Sequence, residues 1–415
     1  MPNVLLIGID YFANRCSSDK NYWHAMLPAL AETLQRIVVI SYNYRRVSAE
    51  IQPTPNRDIQ IYNVRPSHLG IDLRADPSTA HNPEKCHSHF KSPPRSPVEY
   101  FASCVRVLPL IRRLIAEQSI TNMHCMDNFG PVMRLMRRWI SPVPLSVSAM
   151  GYYARGPLHD RYLQLCYQGV DAIVPYSQAY GKKLESLGVP AGKLHVIPWG
   201  IDVESVEEPA TSEEQSTLKQ GLELEPDCQM VLWAGFLQQI REKELQISIE
   251  IASGFARRRD DVQFVFALKP ECYDPSLQRF STPQIRLLST SNEVFFRLLR
   301  AADYFLSPIA NTRSIVTPPL TWLEAMAAGV PIITNEVPGV EAVITSGANG
   351  FVAENLDGIA QLLEQALSST NRKKMRKKAR EHIENYYTIA RSANDYRELW
   401  QELRYRLGMG DNVES

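Results

Sequence analysis

The chain has 415 residues, with 45 basic and 45 acidic side chains and therefore a formal net charge of zero. This length predicts two or three domains with large cores. The balanced charge argues against a protein held to nucleic acid by electrostatics. No apolar run reaches the roughly 18–20 residues that span a bilayer. We expect no specific nucleic-acid contact and at most peripheral contact with a membrane.

The cysteines and the N-terminus predict a cytoplasmic protein. Residues 1–8 are too short and lack the basic residues of a signal peptide, so they predict a first core strand. The cysteines show no paired spacing, which favours buried thiols in a reducing compartment. The seven are Cys16, Cys86, Cys104, Cys125, Cys166, Cys228 and Cys272.

Strand-like and helical segments alternate along the first 202 residues, which predicts a doubly wound parallel sheet. Ligands gather at the carboxyl ends of such strands, so the loop at 11–22 should border a site. The predicted strands are 4–10, 37–41, 122–126, 145–149 and 172–175, and the predicted helices are 23–35, 98–117, 131–139, 159–168 and 178–187.

Residues 52–97 interrupt this pattern with eight prolines and a histidine cluster. They predict a long loop on the acceptor side of the site. Cys86, His87 and His89 could be read as metal ligands. Their spacing matches no ordinary zinc pattern, so a surface loop is favoured and no metal is expected.

The second half repeats the α/β pattern after an acidic, polar segment at 203–226, which predicts an interdomain linker. A basic run at 372–378 in the final helical region is interpreted as a solvated helix face, with contact to an anionic membrane as the alternative. The strands are predicted at 230–235, 262–268, 285–288, 304–308 and 330–334, and the helices at 243–258, 292–301, 357–367 and 371–407.

One stretch, from Pro318 to Thr334, organises this second unit. Its two prolines suit the start of a helix, and Gly329 followed by Pro331 suits its end. A single carboxylate, Glu324, lies in the otherwise apolar helix between them. The residues alone leave Glu324 equally open to two interpretations, a solvated surface charge or a ligand-binding group.

Several segments, taken in order, resemble the GT-B glycosyltransferases of the retaining family called GT4 or glycosyltransferase group 1. The likeness extends over nearly the whole chain. Its clearest part is Leu323–Ile333 (LEAMAAGVPII). The other segments are Val174–Ser177, His195–Asp202, Ala302–Pro308, Pro338–Glu341 and Gly347–Val352.

This resemblance implies two Rossmann-like domains that face each other across a cleft. The N-terminal, acceptor-side domain would be 1–202 and the linker 203–226. The nucleotide-sugar-binding domain would be 227–385, and 386–415 would form a C-terminal helix that packs back towards the N-terminal domain.

The resemblance also implies site residues. Glu324 matches the second glutamate of the family's E-x7-E motif, which binds the nucleotide ribose, and Arg241 and Lys243 would hold the diphosphate as the catalytic cations. Other donor contacts fall on Arg313, Thr321, Leu320, Pro319, Gly235 and Phe236. Acceptor-side contacts fall on Asp10, Asn14, Arg15, Gly151, Tyr152 and Arg155, whereas His124 and Asp127 are as compatible with a structural role.

The chain departs from the family pattern at several motif positions. The first glutamate of E-x7-E falls at Val316, and the lysine of a P-x-K-x-x-E variant falls at Thr321. Phe236 replaces a diphosphate-binding arginine, and Met150 replaces the usual acceptor-side histidine. A mechanism that needs only cations beside the diphosphate survives these changes.

The sequence therefore predicts a retaining hexosyltransferase that moves a sugar from a nucleotide-diphosphate sugar to an acceptor, with the leaving diphosphate as the base. A UDP-sugar is favoured over a GDP-sugar only because uridine donors are commoner. The alternatives are a non-catalytic GT-B relative that binds a nucleotide sugar or scaffolds a partner, and a GT-B enzyme of other chemistry, such as an epimerase or a phosphorylase.

Overall fold

The computed structural model describes residues 1–9, 18–42, 59–67, 70–72, 105, 107–126, 132–149, 157–235, 242–270, 273–312 and 318–408. These residues form two compact α/β units. Unit 1 consists of the described residues up to Gly200 together with those from Ile389 onward, and unit 2 consists of the described residues of Ile201–Thr388.

Unit 1 is built on a sheet of seven strands in the order β4-β3-β2-β1-β5-β6-β7. All neighbouring strands are parallel except β4, which pairs antiparallel with β3. The strands are β1 (Asn3–Ile9), β2 (Arg36–Tyr42), β3 (Ile59–Ser67), β4 (Gly70–Asp72), β5 (Asn122–Cys125), β6 (Leu145–Ala149) and β7 (Ala172–Pro175). The helices are α1 (Ser18–Thr33), α2 (Leu108–Glu117), α3 (Val132–Ile140), α4 (Pro157–Tyr167) and α5 (Gln178–Ser186).

The prediction of a continuous loop at 52–97 is wrong for the part that the structure describes. β3 continues the parallel sheet beside β2, and β4 closes that edge. The side chains of Ile59 and Ile61 are buried, as expected for alternate residues of a strand. The proline-rich composition hid this alternation, although Pro66 is tolerated where β3 leaves β2 and pairs with the edge strand β4.

Unit 2 is built on six parallel strands in the order β10-β9-β8-β11-β12-β13. The strands are β8 (Gln229–Gly235), β9 (Val262–Leu268), β10 (Ile285–Ser289), β11 (Tyr304–Ser307), β12 (Ile332–Asn335) and β13 (Gly350–Ala353). The helices are α6 (Ser212–Gly221), α7 (Glu242–Ala256), α8 (Asn292–Ala301), α9 (Leu320–Ala327), α10 (Ile359–Leu367) and α11 (Arg372–Tyr386). The final helix of the chain, α12 (Ile389–Arg406), belongs to unit 1.

The predicted linker at 203–226 contains α6, which is folded into unit 2. A capping box formed by Thr211 and Glu214 starts this helix, and α6 packs against α8. The buried Gln215 of α6 donates hydrogen bonds to the carbonyl groups of Ala301 and Ala302. The domain boundaries themselves stay a prediction.

A buried polar network joins α12 to the sheet of unit 1. The Nδ1 atom of His124 lies 2.9 Å from Ser146 Oγ, and its Nε2 atom lies 3.0 Å from Ser148 Oγ. Trp400 Nε1 donates to Ser146 Oγ at 3.1 Å, and the Tyr396 hydroxyl lies 3.2 Å from Ser148 Oγ. Burial lowers the pKa of His124 to about 3, so the ring is neutral at ordinary pH. These contacts give His124 a structural role.

The helix α9 is held at its C-terminal end. Gly329 follows it with φ +71°, and a Cβ atom there would lie 2.6 Å from Pro209 Cγ, so only glycine fits. Arg380 of α11 donates to the carbonyl oxygen of Ala327 at 2.8 Å and to those of Val206 and Glu207 at 3.2 Å. These bonds connect α9, α11 and the segment that enters unit 2.

The basic run at 372–378 on α11 has two kinds of side chain. Arg376 is buried and donates to the carbonyl oxygen of Ala302 at 2.7 Å, and Arg372 pairs with the buried Asp303 at 3.1 Å. The four lysines of the run are exposed, as the predicted solvated face requires. None of the helices in the described part of the chain combines the length and the apolar character that a membrane-spanning segment needs.

We expect Arg380→Ala to lower the free energy of unfolding of unit 2 by about 2–4 kcal/mol, because the carbonyl groups of Ala327 and Val206 lose a buried donor and that of Glu207 a partly buried one. Thermal and urea unfolding monitored by circular dichroism measure this change. Lys377→Ala is the matched control, since Lys377 is exposed and pairs only with the exposed Glu381 among the described residues; its effect should stay within about 0.5 kcal/mol. Equal effects of the two variants would contradict this role for Arg380.

Candidate functional site

The carboxyl edge of the sheet in unit 2 is where this fold places a ligand. The strands β8, β9, β11 and β12 end there at Gly235, Leu268, Ser307 and Asn335. The helices α7 and α9 begin beside this edge, so their first turns present backbone N–H groups that lack partners within the helix. Gly235 and Lys243, which the sequence predicts as one part of the site, therefore lie at the same edge as Pro319–Glu324, which it predicts as another.

The chain that leaves β11 is fixed by its neighbours on both sides. Trp322 Nε1 of α9 donates to Ser307 Oγ at 2.8 Å, and Thr334 Oγ1 donates to the Ser307 carbonyl at 2.7 Å. The Asn335 side chain accepts from the Ile309 N–H at 2.8 Å and donates to the Ile309 carbonyl at 3.2 Å. We define residues 307–310 as the β11 exit segment; these four bonds hold it against α9 and β12.

Glu244 of α7 supports the same segment, and sequence reasoning missed it. Its side chain is 3% exposed, and its Oε1 atom accepts from the Ala310 N–H at 3.2 Å. Lys243, the residue before it, is exposed at the start of α7. Unlike Glu244, Lys243 is one of the site residues predicted from the sequence. The buried carboxylate thus orients the first turn of α7 so that the adjacent cation faces solvent at the sheet edge.

The helix α9 is buried on nearly every side. Six of its eight residues are buried, and only Thr321 and Glu324, three residues apart and therefore on one face, keep partial exposure. The side chains of Pro319 and Leu320 are buried, so any contact that they make with a ligand would go through the backbone. Pro319 occupies the N-cap position without a side-chain cap, which leaves the first N–H groups of the helix for another acceptor.

The carboxyl group of Glu324 has an altered acidity. Glu324 keeps some solvent exposure, but enough protein surrounds its carboxyl group that burial raises the pKa from 4.5 to about 7. The positive charge of Lys269 acts in the opposite direction and lowers this pKa. Lys269 directly follows β9 and is half-buried. Sequence reasoning missed it, because its neighbour Glu324 lies 55 positions further along the chain.

Gly235 ends β8 at a place where no side chain fits. A Cβ atom on Gly235 would lie 2.6 Å from the ring of Trp233, which is itself buried against Phe266 at a ring-centroid distance of 5.9 Å. Packing therefore explains the glycine at the predicted donor position.

Many of the predicted site residues lie outside the described residues, and their roles stay predictions. On the donor side these are Phe236, Arg241 and Arg313. On the acceptor side they are Asp10, Asn14, Arg15, Gly151, Tyr152 and Arg155. The structure does bring together Gly235, Lys243, Pro319, Leu320, Thr321 and Glu324 at one edge of unit 2.

The described part of the chain contains no group of three or more His, Cys, Asp or Glu side chains that could hold a metal ion. Cys86, His87 and His89 lie outside the described residues. The described edge carries a half-buried carboxylate, exposed and half-buried lysines, and backbone N–H groups.

Two family models match the chain, one in each half. The model for Glycosyltransferase Family 4 matches residues 21–205, and the model for Glycosyl transferases group 1 matches residues 228–369. The chain is 24% identical over 205 residues to a D-inositol 3-phosphate glycosyltransferase of Xylanimonas cellulosilytica. That alignment covers 46% of this chain and 46% of the relative, so it spans about half the length of this relative.

Solved structures of similar fold cover nearly the whole chain. Sucrose-phosphate synthase from Thermosynechococcus elongatus aligns with a TM-score of 0.72 and 14% identity, over 98% of this chain and 100% of that one. HepE from Anabaena, solved in complex with UDP, aligns with a TM-score of 0.66 and 12% identity, over 96% of this chain and 100% of that one.

These structural likenesses confirm the predicted GT-B architecture of two Rossmann-like units, and the family models confirm the family resemblance that was inferred from the motifs. Residues 21–205 are thus a glycosyltransferase domain of family 4, and residues 228–369 are a glycosyltransferase domain of group 1.

Proposed function

We propose that this protein transfers a sugar from a nucleotide-diphosphate sugar to an acceptor hydroxyl with retention of the anomeric configuration. The observation that carries the proposal is the single open face of α9, where Thr321 and Glu324 stand at the carboxyl edge of a parallel sheet. A half-buried carboxylate at this place suits a ligand that brings two hydroxyl groups, such as a ribose. The two glycosyltransferase family models that match the chain are consistent with this chemistry.

Glu324 would accept hydrogen bonds from both ribose hydroxyls in its ionised form. The burial that raises its pKa also removes competing water, so each hydrogen bond to a ligand hydroxyl is worth more than at the surface. The N-terminus of α9 would face the diphosphate, since its N–H groups and its dipole both favour an anion. The UDP bound to HepE supports a nucleotide ligand for this fold.

The proposed reaction uses the leaving group as the base. The acceptor oxygen forms a bond to the anomeric carbon on the face from which the nucleoside diphosphate departs. The bond between that carbon and the β-phosphate oxygen breaks, and the acceptor proton passes to a phosphate oxygen. The protein contributes positive charge beside the diphosphate. Lys243 is the described candidate for this charge, and Arg241 and Arg313 are further candidates outside the described residues.

The other parts of the proposal rest on the family resemblance. The acceptor is proposed to contact Asp10, Asn14 and Arg15, and Gly151, Tyr152 and Arg155. The donor base is proposed to be uridine, and no metal is proposed. Thermal-shift measurements with a panel of UDP-, GDP- and ADP-sugars would identify the donor, because a bound ligand stabilises the folded state.

The first test is Glu324→Gln, which keeps the shape of the side chain and removes its negative charge. We expect this variant to bind the donor about 30- to 100-fold more weakly, because two charge-assisted hydrogen bonds are lost or reversed. Isothermal titration with the donor found by the panel measures the affinity, and release of free nucleoside diphosphate measures turnover.

The control is Glu250→Gln, a charge-neutralising change at an exposed position of α7 in the same unit. It should leave affinity and turnover unchanged. Full turnover by Glu324→Gln would contradict the placement of the donor. Donor binding by the wild-type protein without any nucleoside diphosphate release, with water or a broad acceptor mixture, would instead favour a non-catalytic binding protein.

A pH dependence follows from the pKa of about 7 for Glu324. If the ionised carboxylate binds the ribose, donor affinity falls about tenfold per pH unit below 7 and is constant above it, because binding must first remove a proton. The nucleotide sugar is the right probe, since its esterified phosphates lack the ionisation near pH 6 that a terminal phosphate has.

Two variants check the origin of this pH dependence. Glu324→Gln should bind weakly at every pH. Lys269→Met removes the charge that lowers the pKa of Glu324, so the midpoint should move to higher pH. A midpoint that does not change in Lys269→Met would contradict the coupling between these two residues.

Lys243→Gln should weaken binding of the nucleoside diphosphate about tenfold or more and leave the affinity for the nucleoside unchanged, because only the phosphate contact is lost. Competition titrations with the nucleoside, its monophosphate and its diphosphate separate these contributions. Lys377→Gln, on the exposed face of α11, is the control. An equal loss for nucleoside and diphosphate would contradict a role for Lys243 at the diphosphate.

A further inference from the structure

Unit 1 exposes an unusual set of large apolar side chains on two neighbouring helices. On α3 these are Leu135, 38% exposed, and Trp139, 45% exposed. On α4 they are Tyr162, 41% exposed, and Leu165, 43% exposed. Scattered single apolar residues on a surface need no explanation, but four on two adjacent helices form a concentration that does.

The two helices present these side chains on the same side of the unit. α3 connects β5 to β6 and α4 connects β6 to β7, and the three strands are adjacent and parallel. Right-handed crossovers therefore place both helices on one face of the sheet, where they contact each other. Leu135 and Trp139 are four residues apart and share a helix face, as do Tyr162 and Leu165 at a spacing of three.

The same two helices carry exposed positive charge. Arg134, Arg138 and Arg161 are exposed on the same two helices. A groove of about 530 Å³ beside α3 is lined by Arg134, Arg137, Arg138 and Lys193, with Asp171 as the acidic residue in the lining. Arg137 neutralises Asp171 through a 2.7 Å ion pair. Because the whole chain has no net charge, this excess of cations is a local feature.

We propose that this face of unit 1, defined by the exposed residues of α3 and α4 and called the α3–α4 surface, docks on a bilayer that contains anionic phospholipids. Tryptophan and tyrosine side chains are suited to the interface between head groups and acyl chains. Arginine side chains extend from the same surface towards lipid phosphates while their aliphatic stems stay in apolar surroundings. The groove beside α3 would receive a phosphate group.

Charge complementarity combined with apolar exposure selects a bilayer over other occupants. The exposed lysines of α11 have the charge without the apolar partners, since the large apolar residue of that run, Met375, is 3% exposed. The α3–α4 surface carries both. Docking here needs no sugar transfer, so the proposal does not rest on the function proposed above.

The experiment is co-sedimentation of the full chain with vesicles of phosphatidylcholine alone and of phosphatidylcholine mixed with phosphatidylglycerol. We expect binding to the mixed vesicles, with weakening as salt increases. Arg138→Ser combined with Arg161→Ser should weaken binding about 25-fold, since each charge near an anionic surface is worth about fivefold. Leu135→Ser combined with Trp139→Ser should weaken binding to the mixed vesicles at low and at high salt alike.

The control is Lys373→Ser combined with Lys377→Ser on α11, which removes the same charge from a basic run whose large apolar residue, Met375, is buried. This variant should bind the mixed vesicles as the wild type does. All variants replace exposed residues, and circular dichroism confirms that they fold.

Three outcomes would overturn the proposal. Equal sedimentation with neutral and mixed vesicles would show that binding does not depend on anionic lipid. An equal loss in the α11 control would show a diffuse electrostatic attraction instead of docking through α3 and α4. Absence of vesicle binding, with self-association that Leu135→Ser and Trp139→Ser abolish, would make this face an interface between copies of the chain.

Discussion

The enclosure of α9 is the constraint on which the candidate site depends. Trp322 ties the helix to the β11 exit segment, and Arg380 together with the left-handed turn at Gly329 holds its other end. A helix of eight residues has little stability alone, so its position comes from this packing. Because every other face is covered, Thr321 and Glu324 have a single direction in which to meet a ligand.

The same enclosure makes Glu324 costly for the fold. The pKa of Glu324 is about 7 in the folded chain and 4.5 in the unfolded chain. Between these two pH values, the carboxylate must therefore either bind a proton when the chain folds or stay charged with little solvation. Stability from this group is therefore present at low pH and is lost as the pH rises through about 7. Side chains retained at such a cost occur at functional sites, which agrees with a ligand role for Glu324.

Unit 1 is stabilised differently, by a polar network inside an aromatic cluster. His124 lies between Ser146 and Ser148 and is packed by the rings of Tyr396 and Trp400. The network fixes α12 on one face of the sheet, because the buried bonds of Trp400 to Ser146 and of Tyr396 to Ser148 would be lost if the helix moved away. The opposite face carries α3 and α4, whose exposed arginine and apolar side chains give that surface its basic and apolar character.

Local features of the sequence determined the alternating strands and helices, the glycine that ends α9, and the family motifs of both units. These depend on neighbouring residues: side-chain periodicity, a positive φ at Gly329 and the proline after it. The sequence did not reveal β3 within the proline-rich segment, the contact of Glu244 with Ala310, or the effect of Lys269 on Glu324. It also did not separate the buried Arg376 from the exposed lysines beside it. Each of these required the tertiary structure, because burial and partners are set by chain segments far apart in sequence, as with the 53 positions between Ala327 and Arg380.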